Sequence, residues 1–280
     1  MSEKFNTTTN GTQPTFCFNP TVRRIGFTVI YSLISVVSVI ANLLIGIIFY
    51  KTKTLRKSIN FFIVNMAISD ILLPIFLIPP IVASLFTVEP WLISGPVGLA
   101  LCKLVMFLPH VSVSVSAESL VLMAVDRFVA VLFPLRSPLI SPGLCPFFIL
   151  ATWIVAMAVS SPYLFTMKLV EYPDGLVCER NWSDTFGVSS SVEKYNQAVF
   201  TVSFYVPFVL IAILYTVICF RLKFQKKPGE RSTNIEQQRG KRERNVFKTS
   251  VAIVLGFAAC WFPYTIHWLL PKHFRSENAF

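Results

Sequence analysis

Long apolar stretches separated by short polar segments form the main pattern of this chain. None alternates with the period of two that a membrane β-barrel strand requires, and each reaches the length of about 20 residues that lets a helix cross a bilayer. The pattern therefore predicts an all-α membrane protein, a transmembrane helix bundle with six spans. We place them at Ile25–Tyr50, Ile59–Phe86, Gly98–Phe133, Gly143–Phe165, Tyr195–Arg221 and Val246–Leu270.

The amino-acid composition agrees with a protein embedded in lipid. Of the 280 residues, 54% are hydrophobic and only 14% are charged, whereas about a quarter of a soluble domain is charged. The net charge of +11 comes from basic residues that lie between the apolar stretches. They form no stripe interleaved with stacking aromatic residues, so nucleic acid is not an expected partner. The lipid bilayer is the expected surrounding.

The basic residues also predict the orientation of the chain. Four lie in the first loop and nine lie between residues 221 and 244. Both segments fall on one side of the bundle, which the positive-inside rule assigns to the cytoplasm, although Arg23 and Arg24 oppose this at the start of the first helix. We therefore expect a multi-pass protein of the cell membrane with an extracellular tail over 1–24, the bundle over 25–270, and an extracellular C-terminal segment over 271–280.

The first 24 residues are polar and lack the apolar core of a cleavable signal peptide, so the first helix is expected to act as its own insertion signal. Three Asn-X-Ser/Thr triplets are candidate glycosylation sites. Two of them lie in the N-terminal tail, which agrees with an extracellular tail. The three asparagines are Asn6, Asn10 and Asn181.

One carboxylate lies inside the second apolar stretch. A charge at membrane depth costs a few kcal/mol or more, so Asp70 is expected to face the interior of the bundle. Steps of three and four residues back from Arg127 place Ser116 on the inward face of the third helix, at a depth that allows contact with Asp70. The pair predicts either a small site for sodium or water, or a polar contact that only holds helices together. No other cofactor or metal is expected.

A second charged group marks the cytoplasmic ends of two helices. Asp126 and Arg127 close the third apolar stretch, and Glu243 begins the sixth on the same side. A charge-assisted pair between Arg127 and Glu243 would hold the two helix ends together; the alternative is a surface pair that contributes less than about 1 kcal/mol. The basic segment Phe224–Arg244 is either a linker held near anionic lipid or a surface for a cytoplasmic partner.

The cysteines divide into two groups by their expected location. Cys102 lies at the outer end of the third helix and Cys178 in the second outer loop, so both face an oxidising compartment and a disulfide between them is expected. Cys17 is also outside and has no obvious mate. The remaining three lie in or near spans and are read as small apolar residues: Cys145, Cys219 and Cys260.

Several prolines interrupt the predicted helices. Each removes a backbone hydrogen bond, and in a membrane bundle such positions can act as hinges. Trp261 stands two residues before Pro263, so a bulky ring adjoins a flexible joint; ordinary packing is the alternative. The interrupting residues are Pro79, Pro80, Pro162, Pro207 and Pro263.

Catalysis has little support in the sequence, and an enzyme is not expected. The histidines, His110, His267 and His273, form no short-spaced cluster of the kind that zinc requires. The sequence contains no phosphate-binding loop and no nucleophile elbow. A transporter would need a pathway of several charges, but only Asp70 and Glu118 lie deep in the spans.

An ordered set of residues, one or more on each helix, resembles the rhodopsin-like G-protein-coupled receptor family. Asp126-Arg127-Phe128 resembles the Asp-Arg-Tyr motif with Phe in place of Tyr, and Cys102 precedes Arg127 by the family's 25 residues. The stretch Phe257–Pro263 resembles the switch motif of the sixth helix. The other matching residues are Asn42, Asn65, Asp70, Trp153, Pro207 and Tyr215.

The resemblance implies an extracellular ligand and a heterotrimeric G protein as partners. Pro109 stands where amine receptors carry an aspartate, and the second outer loop is similar to the hairpin of peptide receptors, so a neuropeptide-type ligand is expected. Coupling is implied at Asp126, Arg127, Tyr215 and Glu243, and a hinge at Pro207, Phe257, Trp261 and Pro263. Helical facing and the resemblance together imply a ligand pocket lined by Pro109, His110, Val113, Trp261, Tyr264 and His267.

One departure from the family pattern affects the functional expectation. After Leu270 the remaining ten residues are too short and too polar to span, so the seventh helix is not found in this sequence. From the sequence alone we expect receptor ancestry and a weakened capacity to signal. The alternative is a truncated receptor that does not signal and associates with full-length receptors through its exposed face.

Overall fold

The computed structural model describes most of the predicted bundle and the loop between its fourth and fifth spans. The described residues are 19–55, 57–87, 91–133, 140–173, 175–187, 191–224, 245, 247–248 and 251–260. Several sequence-based predictions lie outside these ranges and stay predictions. They concern Asn6, Asn10, Cys17, Glu243, Trp261, Pro263, Tyr264 and His267.

Five helical segments in the described part are long and apolar enough to cross a membrane. We call them spans 1 to 5: Thr21–Lys51, Ser58–Ser84, Gly95–Leu132, Cys145–Thr166 and Val192–Arg221. They coincide with five of the six apolar stretches, and the helical fold class is confirmed. For the sixth stretch, the described residues include one shorter apolar helix, Val251–Cys260.

The individual helices are shorter than some spans because prolines and local turns divide them. Span 1 is one helix, Pro20–Lys51, which begins with proline at its first position, where no backbone donor is needed, and with the Asn19 side chain accepting from the Thr21 amide. A 3₁₀ turn, Lys53–Leu55, follows it. Span 2 comprises Ser58–Asp70, Leu72–Phe76 and Ile78–Ser84.

Span 3 is a single helix, Gly95–Leu132, while spans 4 and 5 are divided. Span 4 comprises Cys145–Ser160 and Pro162–Thr166. Span 5 comprises Val192–Phe200, a π-helical turn over Thr201–Tyr205, and Val206–Phe224. A short helix, Ser183–Phe186, lies between spans 4 and 5.

A β-hairpin follows directly on span 4. Its strands, β1 (Met167–Tyr172) and β2 (Gly175–Arg180), pair antiparallel, with Leu169 opposite Cys178. The turn closes at Gly175, whose φ of 125° is a conformation that favours glycine. We call this side of the bundle the hairpin end and the opposite side, where span 3 finishes, the Arg127 end.

Span 3 forms the centre of the bundle. Small side chains such as Ser112, Ser116 and Ser119 are fully or almost fully buried along it, which lets neighbouring helices approach closely. Span 1, by contrast, exposes most of its large apolar side chains, as expected for a helix whose solvent is lipid. Interior contacts, and not general hydrophobicity, therefore determine which faces of these helices are buried.

Gly98 fixes the first turn of span 3. A Cβ atom placed on it would overlap the backbone carbonyl of Ile93 and lie 3.3 Å from the Cδ2 atom of Leu169 in β1. The absence of a side chain at Gly98 therefore lets the chain enter the helix while the hairpin packs against it. Cys102, one turn further on, is completely buried.

Candidate functional site

A cavity of about 550 Å³ opens at the hairpin end, between spans 2, 3, 4 and 5 and the hairpin. Its lining is mostly apolar with a small number of polar side chains, as is usual for sites that bind organic ligands. Three of the residues expected in the ligand pocket line it: Pro109, His110 and Val113. Further apolar lining comes from Leu73, Leu77, Val105, Met106, Met167, Val199, Phe200 and Phe204.

A hydrogen-bonded pair of rings forms part of the cavity lining. The His110 Nδ1 atom lies 2.7 Å from the Met106 carbonyl oxygen, and Nε2 lies 3.0 Å from the Tyr163 hydroxyl. Because a carbonyl can only accept, Nδ1 carries the proton in the neutral ring, and Nε2 accepts from the tyrosine. The two rings are also in contact, with centroids 4.2 Å apart. His110 is therefore fixed in one orientation at the cavity wall.

The hairpin is attached covalently to the cavity wall. Cys102 and Cys178 form a disulfide with 5.6 Å between their Cα atoms, which joins span 3 to β2. Arg180, two residues further along β2, lines the cavity and donates to the Asn196 side-chain oxygen at 3.1 Å. On the outer part of the hairpin, Tyr172 donates to Glu179, and this hydrogen bond raises the pKa of the Tyr172 phenol.

Two serines join spans 3 and 5 at the cavity. The Ser114 hydroxyl donates to the Ser203 hydroxyl at 3.3 Å, and both side chains are buried. Ser203 lies in the π-helical turn of span 5, which changes the direction of the side chains in the turn before the buried residue Pro207. Neither serine was singled out from the sequence, because a serine in an apolar helix is equally compatible with bonding to its own backbone.

Asp70 and Ser116 are brought together in the interior. The Ser116 hydroxyl donates to the Asp70 carboxylate at 2.7 Å, and the Ser69 hydroxyl oxygen lies 3.0 Å from Ser116 Oγ. Asn42 in span 1, matched to the family by sequence, donates instead to the Ser38 carbonyl oxygen of its own helix. The cluster therefore presents one carboxylate and two hydroxyls from spans 2 and 3.

A second polar cluster, which the sequence reasoning did not foresee, joins spans 2, 3 and 4. The Asn65 side-chain nitrogen donates to Ser119 at 2.9 Å and to Thr152 at 3.2 Å, and its oxygen accepts from the Trp153 indole at 2.9 Å. Asn65 is only 2% exposed. The signal available in the sequence was the presence of polar residues in three apolar stretches, since polar groups buried in such helices require hydrogen-bond partners.

At the Arg127 end, Arg127 pairs with its sequence neighbour. The guanidinium donates to the Asp126 carboxylate through Nε at 3.1 Å and through a terminal nitrogen in an ion pair. Tyr215 in span 5 is buried, and its ring centroid lies 5.6 Å from that of Phe247. Phe257, a predicted hinge residue, lies with its ring centroid 5.8 Å from that of Phe208.

The fold and these sites define a helical membrane bundle with a ligand-sized cavity at one end and a charged motif, Asp126-Arg127-Phe128, at the other. The model of the rhodopsin family of seven-transmembrane receptors matches residues 41–279. This match covers most of the chain. The chain belongs to the rhodopsin family of seven-transmembrane receptors, and it is a multi-pass membrane protein.

Curated relatives of this chain carry the names of peptide receptors. The RYamide receptor of Drosophila melanogaster is 32% identical over 244 residues, which is 86% of this chain and 52% of that receptor. The QRFP-like peptide receptor of Branchiostoma floridae is 29% identical over 243 residues, 84% of this chain and 62% of that receptor. The human substance-P receptor is 28% identical over 268 residues, 95% of this chain and 63% of that receptor.

This chain thus spans between about half and two thirds of the length of these relatives. Each of them is named as a receptor, so they give no support to the alternative of a truncated receptor that does not signal. The family is a receptor family and not a family of enzymes.

Proposed function

We propose that this protein is a receptor for a neuropeptide-type extracellular ligand and that it signals through a heterotrimeric G protein. The cavity at the hairpin end carries the proposal. Its apolar lining suits the side chains of a peptide, and its polar side chains offer hydrogen bonds to peptide groups. The names of the relatives support the same ligand class.

The proposed orientation places the hairpin end outside the cell. A disulfide at that end agrees with an oxidising compartment. The N-terminus would then be extracellular, Asn6, Asn10 and Asn181 would be available for glycosylation, and Arg127 would lie at the cytoplasmic side. Asp126, Arg127, Tyr215 and Glu243 would serve G-protein coupling, and Pro207, Phe257, Trp261 and Pro263 would serve as the hinge.

We also propose that a sodium ion or ordered water binds at Asp70 and Ser116. The donors there are a carboxylate and hydroxyl oxygens, which are the hard ligands that a small alkali cation accepts. Residues on two spans would hold the ion, so binding would couple spans 2 and 3. Among the described residues no group of three or more His, Cys, Asp or Glu could hold a metal ion.

A cavity-filling substitution tests the ligand site. Fluorescent derivatives of an RYamide peptide, a QRFP peptide and substance P would be titrated onto cells that express the full-length receptor, with G-protein dissociation measured in parallel. Val113→Trp, which fills the cavity, should abolish saturable binding of any peptide that binds. Val209→Trp is the matched control, because Val209 is 58% exposed on span 5 and does not line the cavity.

Surface expression of both variants would be measured with an N-terminal tag. Loss of binding in Val113→Trp alone, at equal surface expression, supports the proposed site. Equal binding in both variants would place the ligand elsewhere. A failure of every peptide, including those of a wider neuropeptide library, to bind or to release the G protein would contradict the proposed function.

A further inference from the structure

Charge is distributed unequally around the cavity. Among the described residues that line it, Arg180 carries the only permanent charge, and none is an aspartate or glutamate. The remaining lining is apolar or neutral, including His110 and Tyr163 in their shared hydrogen bond. A cationic ligand group would therefore meet a like charge here and no carboxylate from the described lining.

Arg180 is positioned at the cavity by a nearby disulfide and by two contacts of its own. The disulfide fixes β2 to span 3 two residues before it. One guanidinium nitrogen donates to Asn196 on span 5, and the guanidinium carbon lies 5.9 Å from the centroid of the Tyr163 ring on span 4. The guanidinium of Arg180, an exposed residue, therefore bridges spans 4 and 5, and these contacts restrict its conformations, which reduces the entropy lost when it binds a ligand.

The nearby acidic side chains have other partners. The Glu179 carboxylate accepts from Tyr172 at 3.1 Å, and Asp184 pairs with Lys168 at 2.8 Å. Neither of the two ion pairs in the described part of the chain includes Arg180. An arginine has five N–H donors, and the hydrogen bond to Asn196 uses one of its nitrogen atoms. Further donors can therefore be directed toward a bound ligand.

We propose that Arg180 binds a carboxylate of the ligand, so that the cavity selects an acidic group next to a bulky apolar side chain. The proposal rests on the proposed function, since it names the chemistry that the same ligand site prefers. A planar guanidinium matches a carboxylate with two parallel hydrogen bonds. The apolar lining, formed in part by Val105, Val113 and Phe204, receives the adjoining side chain. The carboxylate comes from a free peptide C-terminus or from an Asp or Glu side chain.

Two small probes isolate this chemistry. N-acetyl-phenylalanine has a free carboxylate and an aromatic side chain, and N-acetyl-phenylalaninamide differs only in lacking the charge. Saturation-transfer NMR titrations on the purified full-length receptor in nanodiscs would give both dissociation constants. The acid is expected to bind at least about tenfold more tightly than the amide, because hydrogen bonds to charged groups are the stronger ones. N-acetyl-phenylalanyl-glutamate amide would then test a side-chain carboxylate against a terminal one.

Arg180→Gln should reduce the acid-to-amide preference to about one, and Arg180→Lys should restore part of it because the charge returns without the planar fork. Lys168→Gln is the matched control: it removes a cation from the same hairpin but from an ion pair with Asp184 that does not face the cavity. Lys168→Gln should keep the preference. Melting temperatures of all variants would be compared with that of the unaltered receptor.

The outcomes separate this inference from the proposed function. Equal binding of acid and amide to the unaltered receptor, a preference that persists in Arg180→Gln, or no saturable binding of the acid would each overturn the role of Arg180. If Val113→Trp still abolishes peptide binding in those cases, the ligand site stands and only its charge preference is wrong. If Val113→Trp leaves peptide binding intact, the site itself is misplaced.

Discussion

Asn65 and Trp153 join the second and fourth spans through a hydrogen bond of 2.9 Å from the indole nitrogen to the amide oxygen. The same amide donates to Ser119 on span 3 and to Thr152 on span 4. One buried side chain thus connects three helices. Because apolar burial does not drive helices together in lipid, such contacts help to determine which helices pack side by side.

Replacement of Trp153 by Phe should destabilise the receptor, because the Asn65 oxygen would lose its donor. Hydrogen bonds between membrane helices contribute about 0.6–1.7 kcal/mol, so the melting temperature in detergent should fall by roughly 2–6 °C. Trp91→Phe is a matched control, since the Trp91 indole is buried and has no hydrogen-bond partner among the described residues. An equal fall in both variants would show that ring size, and not the hydrogen bond, is responsible.

Sodium should stabilise the receptor through Asp70. A ligand that binds only the folded state raises its stability with concentration, so the melting temperature in sodium chloride should exceed that in N-methylglucamine chloride at equal ionic strength. Asp70→Asn should remove this difference and Ser116→Ala should reduce it, whereas Asp184→Asn, which alters an exposed acid on the loop, should not. A sodium effect that survives Asp70→Asn would leave the pair as a helix contact only.

Glu118 should be a source of instability. It lies within span 3, and no described residue offers it a hydrogen bond or an ion pair. Because an acidic side chain at membrane depth costs a few kcal/mol, Glu118→Leu should raise the free energy of unfolding by at least about 1 kcal/mol. Glu171→Leu, on the exposed face of β1, should give no such gain. A loss of stability in Glu118→Leu would indicate that the carboxyl binds a partner.

The Arg127 end should restrain the ligand-free receptor. Arg127 pairs with Asp126 in the structure, and the predicted second partner, Glu243, lies outside the described residues. Removing either acid should free the guanidinium and let the sixth helix move outward. G-protein activation without ligand, normalised to surface expression, should therefore rise in Asp126→Asn and in Glu243→Gln. Unchanged activity in both variants would show that these pairs do not restrain the sixth helix.

Much of the architecture was predictable because the length of an apolar stretch decides whether a helix formed from it can span the membrane. Five apolar stretches coincide with spans 1 to 5. Steps of three and four residues from Arg127 mark a face of span 3 that carries Pro109, Val113 and Ser116, and all three are buried. Every residue from 111 to 117 is buried as well, so burial alone does not distinguish this face from the others.

Contacts between helices were harder to predict, because they depend on the rotation and depth of two partners at once. The bond from Trp153 to Asn65 and the Ser114–Ser203 pair both cross between spans, and neither leaves a pattern along a single stretch. Arg180 was missed for a related reason. Its position in the cavity follows from the disulfide and from Asn196, which lies 16 residues away in sequence.

Gly98 sets a limit on how the coding sequence can vary. Every other amino acid carries the Cβ atom that would overlap the Ile93 carbonyl, and the overlapping group is backbone, which cannot rotate away as a side chain could. In a library that samples all codons, position 98 should return glycine almost alone among surface-expressed clones. Gly26 and Gly46, where no described atom lies within 4 Å of such a Cβ, should tolerate alanine or serine. The set of substitutions tolerated at each glycine would thus identify the position at which span 3 begins and the hairpin packs against it.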